Sequence, residues 1–170
     1  MISQTPWIER KFNFDFPVGL FPVIVERLQG TLARLRDVTK GHTDEKLSRK
    51  MDGKWSPKEI IGHLCDLEAL WDARITDFLE RRDTLTAADM SNTKTHGAKH
   101  NDRPVQDLLA EFEKLRSALI HRVQDLAETE ASRSALHPRL QTPMRLVDSL
   151  FFVAEHDDHE LAKLRKLLTS

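Results

Sequence analysis

Hydrophobic residues recur at three- and four-residue steps in four stretches of the chain, and this spacing predicts four amphipathic helices. The stretches cover about residues 17–38, 56–82, 104–128 and 142–168, and the regular part of the first is expected to start at Pro22, because proline is tolerated only in the first turn of a helix. An alternating pattern of Phe12, Phe14 and Phe16 predicts an extended N-terminal arm laid on the helices. No other run has the period of a strand and no internal repeat is present, so the sequence predicts an all-α, antiparallel four-helix bundle.

The starts of two helices have recognisable signals. Ser56 followed by Pro57, with Glu59 three residues after the serine, has the pattern of an N-cap, a first-turn proline and a capping box. Thr142 followed by Pro143 repeats the cap-and-proline pattern and predicts the start of the fourth helix. Both signals would satisfy backbone N–H groups that the first turn of a helix leaves unpaired.

The whole chain, residues 1–170, is predicted to form one domain, because a chain of this length buries about 70% of its unfolded surface on folding. Residues 1–16 form the arm. Residues 83–103 are rich in Thr, Ala, Asn and Lys and make a long connection between helices two and three. Connections of this length in compact domains are usually lids or binding loops, so this segment is expected to lie near a site.

Opposite charges almost balance, with 26 basic and 27 acidic residues and a net charge of -1. The charges are spread along the helices, which predicts no nucleic-acid surface and no membrane surface. The expected partners are a small-molecule substrate and a second copy of the chain in a homodimer. No apolar run approaches the ~20 residues of a spanning helix, and the N-terminus lacks a secretory signal, so a cytoplasmic location is expected.

Most thiol and imidazole groups are predicted to lie outside any site. Cys65 is the single cysteine, which excludes an internal disulfide, and it falls on the face of helix two opposite the apolar stripe. His96 and His100 have ligand-like spacing but lie in the polar connection, which favours solvated side chains. The histidines interpreted as surface or packing residues are His42, His121 and His137.

Five polar residues interrupt the apolar stripe of the fourth helix at positions 156 to 160, in the order His, Asp, Asp, His, Glu. Projected at about 100° per residue, Asp157 falls on the centre of the stripe, and Glu160 and His156 lie about 60° and about 100° from it. His159 lies about 160° away and is predicted to face outward. Carboxylates and imidazoles at the edge of a core are costly unless something pairs with them, and a metal ion would do so.

The second helix carries polar residues in similar positions. His63 lies about 60° from the centre of its apolar stripe, and Asp66 follows one turn later. Arg74 projects into the stripe, where a guanidinium needs an acid, and Asp157 is the candidate partner.

His63, His156 and Glu160 would supply three N/O ligands from two helices and leave at least one open position, which is typical of catalytic metal sites. Imidazole and carboxylate without thiolate suit Zn, Ni, Fe or Mn, and availability favours Zn. The alternative is structural, because a histidine at a helix edge is more often a packed residue than a ligand. The polar block would then be a buried salt-bridge network such as Arg74 with Asp157.

Two motifs resemble a known family. They are residues 55–68, Trp-Ser-Pro-Lys-Glu-Ile-Ile-Gly-His-Leu-Cys-Asp-Leu-Glu, followed by Arg74-Ile75, and residues 154–162, Ala-Glu-His-Asp-Asp-His-Glu-Leu-Ala. They resemble the DinB-like superfamily of bundle proteins, specifically its YfiT-like branch of metal-dependent hydrolases. The resemblance spans nearly the whole chain and implies the same four-helix bundle.

The resemblance implies a divalent metal, Zn or Ni, held by three histidines. Two of these match His63 and His156, and the third matches Glu160, with His159 one position early. Three outcomes are open: Glu160 is an oxygen ligand, the helix shifts locally to bring in His159, or the site is degraded. Glutamate is a competent Zn ligand, which favours the first outcome.

Two functions compete. The first is a metal-dependent hydrolase or thiol S-transferase, in which the ion activates water or a low-molecular-weight thiol; the resemblance adds bacillithiol, mycothiol or glutathione as thiols. Asp66 or Asp157 would orient a ligand histidine or act as a base, and Arg74 would hold a substrate carboxylate. The rival is a non-catalytic metal-binding or purely structural dimer in a stress response.

Overall fold

The structure is a computed structural model that describes residues 2–51 and 53–169. In chain order the α-helices are α1 (Phe21–Gln29), α2 (Thr31–Thr39), α3 (Asp44–Ser48), α4 (Pro57–Leu79), α5 (Thr93–Gly97), α6 (Val105–Val123), α7 (Glu128–Ala131) and α8 (Leu146–Thr169). The strands are β1 (Ser134–His137) and β2 (Thr142–Arg145). Single turns of 3-10 helix cover Trp7–Glu9, Val18–Leu20 and His100–Asp102.

The bundle is built from α4, α6, α8 and the consecutive pair α1 and α2. Helix α4 packs against α6 and α8, and both α1 and α2 pack against α6 and α8. The predicted all-α four-helix bundle is therefore confirmed. The first of the predicted helices is divided at Gly30, which ends α1 and begins α2.

The predicted start of α4 is confirmed in detail. The Ser56 hydroxyl accepts the backbone N–H of Glu59 at 3.1 Å, and the Glu59 carboxylate accepts the backbone N–H of Ser56 at 2.9 Å. Pro57 occupies the first helical position. This reciprocal capping box fixes where α4 begins and therefore which of its residues face the bundle interior.

The predicted start of the fourth helix at Thr142 and Pro143 is wrong. These residues lie in β2, which pairs with β1 in an antiparallel hairpin, with Pro143 opposite Leu136. Proline is tolerated there because β2 is an outer strand, whereas β1 also bonds to the chain at residues 83–85 on its other side. Helix α8 begins at Leu146. The carboxylate of Asp148, in its first turn, accepts the backbone N–H of Arg145 at 2.8 Å and so caps this end of the helix.

The N-terminal arm lies across α8. The Trp7 ring lies 4.9 Å from the Phe152 ring, and the Phe16 ring lies 5.2 Å from the Phe151 ring, measured between centroids. The Arg10 guanidinium also forms an ion pair with Glu155. These contacts place one edge of the arm beside the polar block of α8.

The long connection is also packed on the bundle. Gly62 of α4 has no side chain, and a Cβ at this position would lie 2.2 Å from Cγ of His100. His100 is 3% exposed, so the prediction that it is solvated is wrong, whereas His96 is exposed as predicted. The close approach that glycine permits explains why a histidine from a polar segment becomes buried.

Cys65 is buried rather than exposed on an outer face of α4. Its thiol donates to the backbone carbonyl of Leu108 in α6 at 3.5 Å, and burial raises the thiol pKa to about 12. The prediction for Cys65 is wrong because other elements cover α4 on several sides. The buried part of the helix circumference is therefore wider than the apolar stripe. Within the described residues, no helix combines the length and hydropathy needed to cross a membrane.

Candidate metal centre

Three of the predicted ligands converge between two helices. His63 of α4 and His156 and Glu160 of α8 each offer one ligand atom, and these atoms all lie within 4.8 Å of one another. All three side chains are buried, and the two imidazole rings are 5.4 Å apart between centroids. A divalent ion accepts nitrogen and oxygen ligands at about 2.0–2.2 Å, so atoms this close are within reach of one ion after small side-chain adjustments.

The electrostatics of the two histidines suit metal ligation. Burial lowers the pKa of His63 to about 4, and the nearby Lys163 ammonium acts in the same direction. Burial also lowers the pKa of His156 well below its ordinary value. Both imidazoles are therefore neutral near pH 7 and keep the lone pair that a metal ion requires.

Unpaired polar atoms in the triad provide a test of whether a metal fits. Nδ1 of His156 and Oε2 of Glu160 are buried and have no hydrogen-bond partner among the described residues. Buried polar atoms without a partner are costly and uncommon in folded proteins. A divalent cation between the three side chains would satisfy such atoms, so the donor set fits a metal ion.

In the absence of a metal, the Lys163 ammonium pairs with the Glu160 carboxylate. Its ammonium lies 2.8 Å from Oε1 of Glu160, and its side chain is 40% exposed. Burial raises the pKa of the Glu160 carboxyl, and the Lys163 ammonium opposes that shift. Because Lys163 reaches the site from solvent, its ammonium can move away when another cation takes its place.

A hydrogen-bonded chain behind His63 fixes the orientation of its ring. The Thr95 hydroxyl lies 3.2 Å from Nδ1 of His63 and donates to Oδ2 of Asp66 at 2.9 Å. The hydroxyl has one hydrogen, so it must accept from His63, and Nδ1 of His63 carries the proton. Nε2 of His63 therefore keeps its lone pair for a ligand. Nε2 of His100 bonds to the same Asp66 oxygen at 2.8 Å.

Replacing Thr95 by valine is expected to weaken metal binding about 10–100-fold, because this isosteric change removes the hydroxyl that orients His63 and holds its proton. Thr95→Ser keeps the hydroxyl and should bind metal almost as the wild type does. Competition with a chromophoric chelator measures the affinities. Equal affinity in the valine variant and the wild type would contradict the assigned orientation.

The other predicted site residues lie in different places. Asp66 lies on α4, where its carboxylate accepts from Thr95 of the long connection and so belongs to the hydrogen-bonded chain behind His63. His159 does not join the triad: it is buried beneath the arm, with Nδ1 3.0 Å from the side-chain nitrogen of Gln4 and its ring beside Trp7. The prediction that it faces outward is wrong in that the side chain is buried, because the arm covers that side of α8.

The predicted pairing of Arg74 with Asp157 is wrong. Asp157 is fully buried and accepts from Arg116 of α6 at 2.6 Å and from Thr31 of α2 at 2.8 Å. Arg116 also pairs with Glu68 of α4 at 2.6 Å. Arg74 instead donates from Nε to the backbone carbonyl of Thr86 at 2.9 Å.

Sequence reasoning missed Arg116, although a signal was present. The residue follows Phe112 by four positions and precedes Leu119 by three, so it lies in the apolar stripe of α6. The argument made for Arg74, that a guanidinium in an apolar stripe needs an acidic partner, therefore applies equally to Arg116. Thr95 gave no such signal, because only the folded connection places it against α4.

The triad opens into a cavity of about 450 Å³. Much of its wall is aromatic, with Trp7 from the arm, Trp71 from α4 and Trp55 from the segment just before α4. Residues 87–90 and Asn92 of the long connection form another side, which agrees with the expectation that this segment lies near a site. A cavity of this size accommodates a small molecule.

Comparisons with known proteins agree with this architecture. The structure resembles YfiT from Bacillus subtilis, described as a probable metal-dependent hydrolase with an unusual four-helix bundle topology, with a TM-score of 0.81, 19% identity, and coverage of 94% of this chain and 91% of that one. It also resembles the mycothiol-dependent maleylpyruvate isomerase, with a TM-score of 0.68, 11% identity, and coverage of 88% of this chain but only 61% of that one. At these identities the likenesses establish the fold alone.

A comparison with curated proteins gave no match. The family profile of the DinB superfamily matches residues 27–163, which include α4, α6 and most of α8. The matched segment contains all three candidate metal ligands and most of the cavity wall. The chain therefore belongs to the DinB superfamily.

Proposed function

We propose that the protein is a divalent-metal-dependent enzyme that acts on a small molecule, as a hydrolase or as a low-molecular-weight-thiol S-transferase. The observation that supports it most is the convergence of two neutral imidazoles and one carboxylate, from α4 and α8, on the wall of a cavity of about 450 Å³. Zn or Ni is the expected metal. A cytoplasmic location and a homodimer stay predictions from the sequence.

The proposed ligands are His63, His156 and Glu160. When bound, such an ion would supply a Lewis acid that makes water or a thiol a better nucleophile near neutral pH. Three protein ligands leave a coordination position for a small molecule, as in catalytic rather than structural sites. Glu160 is preferred to His159 as the third ligand because only Glu160 lies with the two histidines.

Other side chains have supporting roles in this proposal. Asp66, acting through Thr95, orients His63 and favours its metal-binding tautomer. Arg74 lines the cavity and is available to bind an anionic substrate. Asp157 is fully buried and paired with Arg116, so its contacts favour a structural role over that of a base.

The name of each structural relative favours one of the two reactions. YfiT is described as a probable metal-dependent hydrolase, and the isomerase is described as mycothiol-dependent. A metal-activated water and a metal-activated thiol need the same ligands, so the triad is compatible with both reactions. The rival proposal is a non-catalytic dimer that either binds a metal or is purely structural, and neither form predicts turnover.

The test is an activity screen on metal-loaded protein against two panels. One contains activated esters and amides, and the other combines bacillithiol, mycothiol or glutathione with a series of electrophiles. We expect turnover in one panel, lost at least about 100-fold in His63→Ala because the nucleophile is no longer activated. His121→Ala, which removes an exposed histidine of α6, is the matched control and should keep full activity.

A protein that binds one equivalent of metal but turns over neither panel would support the non-catalytic alternative. Turnover that is equal in His63→Ala and the wild type would contradict the assignment of the triad to the reaction. The two panels also separate the hydrolase from the thiol transferase.

A further inference from the structure

Three basic side chains lie together on the cavity wall away from the metal triad. Arg74 comes from α4, and His137 and Arg139 come from the end of β1 and the turn that follows it. Strand β1 packs against α4, which brings these distant parts of the chain to one place. None of the three is among the proposed metal ligands.

His137 presents a hydrogen-bond donor that has no partner. Its Nδ1 accepts the backbone N–H groups of Arg139 and Leu140 at 3.3 and 3.2 Å. The neutral ring must then carry its proton on Nε2. Burial lowers the pKa of His137 to about 4, so the ring stays neutral and keeps this tautomer near pH 7. Nε2 is buried and has no partner among the described residues.

The two guanidiniums also lack an anionic partner. Arg74 is 2% exposed, and its one hydrogen bond to another described residue is from Nε to the Thr86 carbonyl. Nη2 of Arg139 is buried without a hydrogen-bond partner. Among residues 2–51 and 53–169, neither guanidinium forms an ion pair with a carboxylate. Arg74 is a buried guanidinium without an ion-pair partner among these residues, which is unusual, and Arg139 is a half-buried cation beside it.

The acid that acts on Arg74, Asp77, offsets only part of this positive charge. Asp77 acts on Arg74 at a distance, but its own oxygens are occupied by Arg82 at 3.2 Å and by the backbone and hydroxyl of Thr86 at 2.6 and 2.8 Å. Burial lowers the pKa of Arg74 to about 10, and the Arg139 charge adds to that effect. The cavity wall thus carries one buried and one half-buried positive charge, which an anion would stabilise.

We propose that Arg74, His137 and Arg139 form a binding subsite for an oxyanion of the substrate, such as a carboxylate or a phosphate. This proposal rests on the proposed function, because it assigns the substrate class of the same cavity. Two guanidiniums and an N–H donor offer several charge-assisted hydrogen bonds to one oxyanion.

Aromatic rings connect this subsite to the metal triad. The Arg74 guanidinium lies 5.4 Å from the Trp71 ring, and the Arg139 guanidinium lies 5.9 Å from the Phe152 ring. The Trp71 ring in turn lies 6.0 Å from the ring of His156. A substrate that binds its oxyanion at the basic subsite would place an apolar body on Trp71 and Phe152 and its reacting end near the triad. The expected substrate is therefore a small amphipathic anion.

The test measures binding to metal-free, chelator-treated protein, so its result does not depend on whether the triad binds metal or supports turnover. The probes are benzoate, phenyl phosphate and benzenesulfonate, with the neutral benzamide as the matched control for shape. Calorimetry or tryptophan fluorescence gives the affinities. We expect at least one anion to bind about tenfold or more tightly than benzamide, since a hydrogen bond to a charged group is worth about that much.

Arg139→Gln and Arg74→Gln should each weaken binding of that anion about tenfold and leave benzamide unchanged. Arg139→Gln is the decisive variant, because Nη2 of Arg139 has no hydrogen-bond partner in the part of the chain that the structure describes, so its loss should not unfold the protein. Arg165→Gln, at an exposed position of α8 outside the cavity, is the charge control and should bind like the wild type.

The order of affinities among the three anions identifies the oxyanion that the subsite prefers. Equal binding of the anions and benzamide would overturn the proposal, as would an Arg139→Gln variant that binds the anions as tightly as the wild type. A failure of this kind together with turnover in the activity screen would refute only the subsite. If the anions bind as expected but the protein neither binds a metal nor shows turnover, only the proposed enzymatic function is refuted.

Discussion

Protein purified without added metal is expected to contain about one equivalent of a divalent transition metal, and His156→Ala is expected to lose it. Removing this ligand leaves one imidazole and one carboxylate, which is too few for a stable site in a cavity that is open to solvent. The loss of affinity should exceed the 10–100-fold cost of losing an outer hydrogen-bond partner. Elemental analysis of the purified protein measures the content directly.

Neighbouring substitutions in α8 identify the third ligand. Glu160→Gln keeps the size of the side chain but removes its charge, and it should lose most of the metal. His159→Ala removes the histidine that lies beneath the arm and should keep the metal. The reverse pattern would show that α8 shifts to bring His159 into the site. Less than about 0.3 equivalents of any metal in the wild type, unchanged by His63→Ala, would contradict the metal centre.

Stability gives an independent measurement of the same site. A ligand that binds only the folded state stabilises it by about 2.7 kcal/mol when its concentration is 100 times its Kd. Added Zn or Ni should therefore raise the Tm of the wild type and of His159→Ala, but not that of His156→Ala. This readout does not depend on knowing the substrate.

The sequence predicted the parts of this fold that are coded by local pattern. Helical periodicity identified the bundle, the capping box placed the start of α4, and the projection of α8 put Glu160 and His156 on its buried side. These features depend on residues within one element. The candidate ligands could be singled out helix by helix in this way, and the bundle architecture then predicted that α4 and α8 bring them together.

The features that the sequence did not predict depend on contacts between elements. His100 is buried because Gly62 lets the connection approach α4, and no pattern within the connection reports this. The hairpin has strands of four residues, which are too short for an alternating pattern to stand out. The partner of Asp157 depended on which of two inward arginines faces α8, and that choice is made by helix packing.

Arg116→Met is expected to destabilise the protein by about 3–5 kcal/mol, because it leaves buried carboxylates without their counter-charge. Arg116 is 3% exposed and pairs with Glu68 of α4 and Asp157 of α8, each at 2.6 Å. It also donates to the backbone carbonyl of Leu28 at 3.3 Å. A loss of this size is a large part of the about 5–15 kcal/mol by which domains are usually stable. Urea unfolding measures the change.

The control is Arg122→Met, in the same helix. Arg122 pairs with Asp72 at the surface, where ion pairs contribute about 0–1 kcal/mol, so this variant should be nearly as stable as the wild type. Combining Arg116→Met with Glu68→Leu and Asp157→Leu removes the buried charges together and should recover much of the lost stability. If the triple variant is no more stable than Arg116→Met, the cost lies in packing rather than in unpaired charge.

The pH dependence of Arg116→Met provides a further test of the same cause. Burial already raises the pKa of Glu68, and the Arg116 charge opposes that shift. Without Arg116 the folded-state pKa should rise further above the unfolded value, so the folded state binds protons more tightly and gains stability as pH falls. The loss of stability relative to the wild type should therefore shrink as the pH falls from about 7 to about 5.

Because Glu68 and Asp157 lie on the two helices that carry His63, His156 and Glu160, the same network holds the proposed ligands in register. Arg116→Met should accordingly weaken metal binding as well as folding.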